Sequence, residues 1–163
     1  MAQSQTFGTE QQTFFPLVKL AGQSELGSLL SEFLKFDNEV ESFIENYEGP
    51  DYFDIHQNLK NLHIILGQCS EMLIKKGYAK EPDNFGSGKF FLNDFYLFDM
   101  AIMRNDTERI FQVVSGLRIL LGKCRKNAFE AHLNEDAEME NLMNGFVWEL
   151  ENRQWIFSMF LKY

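Results

Sequence analysis

The sequence predicts an all-α protein, a four-helix bundle with one long crossover that carries a short extra helix. Three observations predict it. Apolar residues recur at three- and four-residue steps along four long stretches, which is the period of an amphipathic helix and not of a strand. Short turns join the first pair and the last pair of these stretches, so each pair should run antiparallel. A long connection separates the second stretch from the third, too long for a hairpin. Only three prolines occur in 163 residues, which leaves room for long helices.

Residues 1–23 are polar and aperiodic, with Gln-rich pieces and a Phe-Phe-Pro step, and read as an arm or tail. From Ser24 the pattern changes: Leu26, Leu29, Leu30, Phe33, Phe36, Val40, Phe43 and Tyr47 form one stripe, stopped by Gly49-Pro50. A second stripe runs through Ile55, Leu59, Leu62, Leu66, Cys69 and Leu73 and should close at Lys75-Lys76-Gly77, where basic residues and Gly suit a helix C-terminus. Residues 80–89 read as a loop, and residues 90–103 as a short, densely aromatic helix within the crossover. Asn105-Asp106-Thr107-Glu108 has the cap-plus-Glu spacing that opens a helix, continued by Ile110, Val113, Leu117, Leu120 and Cys124. Residues 130–136 turn the chain, and Met139, Leu142, Met143, Phe146, Leu150 and Phe157 mark the last helix. Residues 24–163 thus form one bundle, with helices of about 33–39 Å at 1.5 Å per residue. Two antiparallel pairs joined by one crossover is the ferritin-like topology.

Composition agrees with a folded domain. Hydrophobic residues make up 45% and 17 residues are Phe. A net charge of -9 argues against nucleic-acid binding, and residues 1–23 offer only Lys19 as a base, so no DNA binding is expected. No apolar run approaches the roughly 20 residues of a membrane span, and the first residues lack the basic start and apolar run of a secretory signal. Cys69 and Cys124 are isolated on apolar helix faces, which suits buried thiols in a reducing cytoplasm. Gly86-Ser87-Gly88-Lys89 lacks the spacing of a phosphate-binding loop, and the sequon Asn105-Asp106-Thr107 is the helix cap. A di-iron site inside one bundle usually shows Glu-x-x-His on two helices, but Phe53, Lys60 and Phe129 precede His56, His63 and His132 at that spacing.

The segment from Asn46 to His56 resembles a different arrangement. Asn46-Tyr47-Glu48-Gly49, then Tyr52-Phe53 and His56, is similar to the turn of the Dps-like mini-ferritins, in which an Asn-x-x-Gly run is followed by an aromatic pair and a histidine. The acidic turn Glu135-Asp136-Ala137-Glu138, the Glu149-Leu150-Glu151 step and Trp155 near the end resemble the family's last helix. The resemblance implies iron binding and storage with protection against peroxide, in a homo-oligomer of up to the twelve subunits of the family's cage.

In that family the iron site lies between two subunits: two His come from one chain, and an Asp and a Glu four residues later from the partner's second helix. Transferred residue by residue, His56 matches the second His and Glu71 is the carboxylate of the second helix. The first His falls on Ile44, the usual Trp on Glu45, and the other carboxylate on Gly67 or Lys75. Two of four ligands are therefore missing, with Glu45, Asp51 or His63 as the residues that could compensate. Each of these His also has an ordinary reading as a partly buried structural side chain. The run Glu135, Asp136, Glu138 and Glu140 could line a cation-entry pore, or it could simply favour a helix start. Two functions follow. One is a Dps-like iron protein, a ferroxidase by resemblance, with Fe(II) held between His56 and a partner's Glu71. The other is a structural or partner-binding oligomer that kept the bundle and lost the site.

Overall fold

The computed structural model describes residues 24–85 and 105–161. Five helices appear among them: α1 (Glu25–Asn46), α2 (Tyr52–Lys80), the single turn α3 (Pro82–Phe85), α4 (Asp106–Leu133) and α5 (Ala137–Phe160). No strand occurs among the described residues. The expected arm at residues 1–23 and the expected short helix at residues 90–103 lie outside them.

Side-chain caps start three of the four long helices. Ser24 accepts from the Gly27 amide at 2.9 Å. Asn105 accepts from the Glu108 amide at 2.8 Å, as the Asn-x-x-Glu spacing predicts. Asp136 accepts from the Met139 amide at 3.1 Å. Each satisfies one of the amides that a helix start leaves without an internal partner. The start of α2 has no such cap. Asp51 there adopts a left-handed conformation (φ 55°), and the turn is held instead by the Tyr47 hydroxyl, which donates to the Pro50 carbonyl at 2.6 Å. Gly49 lets this turn press on α4: a Cβ there would lie 2.7 Å from the Asp106 side chain.

Cross-helix pairs fix the topology. Ile44 meets His56 and Asp37 meets His63, so α1 and α2 are antiparallel. His132 meets Glu140 and Arg125 meets Glu151, so α4 and α5 are antiparallel too. Arg109 reaches the Asn46 carbonyl at one end while Lys126 approaches Glu25 at the other, which sets α4 antiparallel to α1. Phe85 packs on Gly77 near the end of α2, whereas Asp106 abuts Gly49 at the opposite end. The chain therefore crosses the length of the bundle between Phe85 and Asn105, the one long crossover of the ferritin-like topology.

The core is the predicted set of stripes. Phe33, Phe43, Leu59, Leu62, Leu66, Leu117, Leu150 and Phe157 are fully buried, and Phe33 meets Phe146 edge to face at 5.6 Å. Burying each such side chain favours folding by about 1.5–3 kcal/mol before entropy is counted. Cys69 and Cys124 are free and buried, and burial pushes both thiols up to about 12.

Two expected boundaries move. Gly77 does not end α2, which continues to Lys80, because Gly77 is the seat for Phe85: a Cβ there would fall 2.3 Å from its ring. The expected loop at residues 80–89 accordingly opens with the turn α3. The turn after α4 is also tighter than residues 130–136, since the helix runs to Leu133.

Candidate metal centre

The last carbonyls of a helix have no internal partner. At the end of α1 the Tyr47 amide closes on Phe43, and the Ile44 carbonyl is left over. His56, one turn into α2, supplies the missing donor, with its Nε2 3.0 Å from that oxygen. A carbonyl can only accept, so Nε2 is the donor in this bond, and Nδ1 is the ring nitrogen that takes no part in it. The imidazole also stacks on Tyr52, centroids 5.1 Å apart and planes 21° from parallel, while Tyr52 meets Phe53 edge to face. His56 is thus oriented by a backbone carbonyl through one nitrogen, with the other available. Metal-binding histidines are commonly held in this way.

The other candidates are spread along the bundle. Glu45 is exposed beside Ile44, and Asp51 is exposed in the turn. Burial pushes the Tyr47 phenol up, helped by the negative charges of Asp106 and Asp51. Glu71 lies fifteen residues beyond His56 on the same helix, about 22 Å at 1.5 Å per residue. It is exposed and pairs with Lys75 at 2.9 Å, and this hydrogen bond holds its carboxyl below the usual range. His63 is engaged by Asp37, Nδ1 to Oδ1 at 2.7 Å. Burial raises the Asp37 carboxyl although His63 draws it down. Among the described residues of one chain no group of three His, Cys, Asp or Glu side chains converges as a metal site. His56 and Glu71 can share an ion only if they come from different copies.

The acidic run at the start of α5 gathers at one end of the bundle and meets cations from its neighbours. Asp136 pairs with Lys80, Glu138 with Lys76 at 2.6 Å, and Glu140 with His132 at 3.1 Å. Glu135 occupies the turn with φ 57°. Lys80 and the capped Met139 amide hold the Asp136 carboxyl below its ordinary value. A cleft of about 380 Å³ opens beside it, lined in part by Glu25, Lys80, Glu130 and Asp136. Glu25 and Glu130 interact across separate helices, which raises the first carboxyl and lowers the second, with Lys126 3.5 Å from each. Sequence reading missed this pair and the Asp37–His63 pair. Nothing in local spacing marks them, because each joins separate helices.

No family model matches the chain, and no curated protein matches its sequence. Solved structures do match. Dps from Mycobacterium smegmatis superposes with a TM-score of 0.71 at 14% identity, over 100% of this chain and 96% of that one. The DPS protein from Vibrio cholerae O1, described as a member of a broad superfamily of ferritin-like diiron-carboxylate proteins, gives 0.69 at 17% identity over 99% of both chains. Dps from Thermosynechococcus elongatus gives 0.69 at 10% identity over 96% of both. At such low identities the agreement over the whole length concerns architecture: the chain has the ferritin-like fold of the Dps proteins.

Proposed function

We propose that this chain is a Dps-like iron-binding and storage protein of the kind that protects against peroxide, working as a homo-oligomer in the cytoplasm. Its substrate ion is held between two copies, by His56 of one and Glu71 of the other. The observation that carries this reading is the setting of His56: Nε2 is committed to the Ile44 carbonyl and Nδ1 is left to a ligand. Glu71 supports it as an exposed carboxylate held in its charged form. The fold adds the precedent of the diiron-carboxylate superfamily named for the V. cholerae protein.

A second reading has its own observation. Ile44 stands where one ligand is expected and Gly67 or Lys75 where another is, and Lys75 occupies Glu71. A bundle with those residues could serve assembly or partner binding without iron chemistry. Anaerobic titration with Fe(II), followed by peroxide and the growth of ferric absorbance, separates the two. The iron reading expects saturable binding that weakens by at least about tenfold in His56→Ala. Superimposable traces for the two proteins, or no saturable binding in either, would leave the structural reading.

A further inference from the structure

The chain has two cysteines, on different helices, and the cross-helix pairs put them in one layer of the bundle. Asp37 of α1 pairs with His63, so Cys69, six residues further along antiparallel α2, lies level with Ser31. Glu32 pairs with Lys123, so Cys124, one residue further along antiparallel α4, lies level with Ser31 as well. Both side chains belong to the core, at 4% and 0% exposed, and both thiols are free. The charge of Cys69 is felt at Cys124, and that of Glu149 on α5 at Cys69, as groups in one layer require.

Two further features mark the layer. Among the described residues Ser70 is the one buried polar side chain, and its Oγ has no hydrogen-bond partner. Buried hydroxyls are ordinarily partnered, so an orphan beside Cys69 is out of place in a purely apolar layer. Met72, one turn beyond Cys69, opens on a cleft of about 610 Å³ between α2 and α5, which Leu142 and Glu138 also line.

We propose that Cys69 and Cys124 together bind one soft monovalent cation, of the class of Cu(I), inside the bundle. Thiol sulfur selects such an ion over the oxygen-preferring metals. The apolar surroundings select its charge state. One monovalent ion on two thiolates would bury a net negative charge, whereas one thiolate and one intact thiol give a neutral complex. Binding therefore breaks one S–H bond, forms two metal–sulfur contacts and sends one proton to solvent, with no change of oxidation state. Met72 offers a thioether on the approach through the α2–α5 cleft. The site is separate from the one proposed for iron, since Glu71 faces solvent while Cys69 faces the core, and it stands whether or not the iron reading holds.

The full-length protein, reduced and free of oxygen, is titrated with Cu(I) against a chromophoric Cu(I) chelator, beside Cys69→Ala and Cys124→Ala. Thermal unfolding is followed by circular dichroism with and without the ion. The expected result is one ion per chain for the wild type, with binding weakened by about tenfold or more in each variant. Cu(I) should raise the unfolding temperature of the wild type and leave that of the variants unchanged, because the folded layer holds both sulfurs together. X-ray absorption at the copper edge should show sulfur neighbours alone. Failure to compete with the chelator, equal binding by all three proteins, or an unfolding temperature lowered by Cu(I) would overturn the site. Should the variants fail to fold, the wild type still decides: nitrogen or oxygen neighbours would place the ion on other groups and overturn the proposal.

Discussion

His56 completes a helix end by holding one ring nitrogen against a backbone carbonyl, which follows from where the turn at Gly49-Pro50 places it. The Ile44 carbonyl must find a donor because α1 stops two residues later. One heptad further along the same helix pair, His63 reaches Asp37 in place of a carbonyl. Burial leaves the Asp37 carboxyl above its ordinary value despite His63, with Glu41 adding to the rise. A carboxyl raised in the folded state is disfavoured when charged, so its contribution to stability is present at low pH and lost as pH rises through the raised value. Asp37→Asn keeps an acceptor for His63 and removes the charge. Its stability relative to wild type should therefore increase with pH across that interval and show no difference in acid, measured by urea unfolding at several pH values. A variant that loses stability steadily toward neutral pH would show that the ion pair outweighs burial. Asp37 was not legible in the sequence, where it reads as one more acid on a polar helix face.

Helices were legible where one signal had one meaning. Asn105-Asp106-Thr107-Glu108 predicted a cap and is one. The core stripes fell on buried positions for the same reason, since period and burial are the same fact in a bundle. Gly77 misled, because glycine marks either a helix end or a place where something packs closely, and only the position of Phe85 distinguishes them. Gly116 is a second such seat: a Cβ there would lie 2.2 Å from the buried ring of Phe36. Gly116→Ala should destabilise the protein by about 1–3 kcal/mol through overpacking. Gly67 is the control, with no other atom of the described residues outside its own helix backbone within 4 Å, and Gly67→Ala should stabilise by about 0.5–1 kcal/mol through helix propensity alone. Thermal and urea unfolding of the two variants check the pair, and equal effects would remove the packing account of Gly116. The acidic start of α5 was legible as a helix start, while its pairing with Lys80, Lys76 and His132 depended on tertiary arrangement.

In the whole molecule, the two halves of the candidate site cannot meet within one chain. About 22 Å of helix separates His56 from Glu71, and no third ligand joins either among the described residues. The fold was legible because four periodic stretches and one long connection admit few bundles. The candidate site was only half legible, because no stretch of one chain brings His56 and Glu71 together. If the ion is shared between copies, chains lacking different ligands should complement each other. Fe(II) binding is therefore measured anaerobically for His56→Ala, for Glu71→Gln, and for an equal mixture of the two reassembled together. The account predicts that each variant alone loses saturable binding and that the mixture recovers about a quarter of the wild-type sites, the share in which an intact His56 faces an intact Glu71. No recovery in a mixture shown to have reassembled, or full binding by either variant alone, would contradict it.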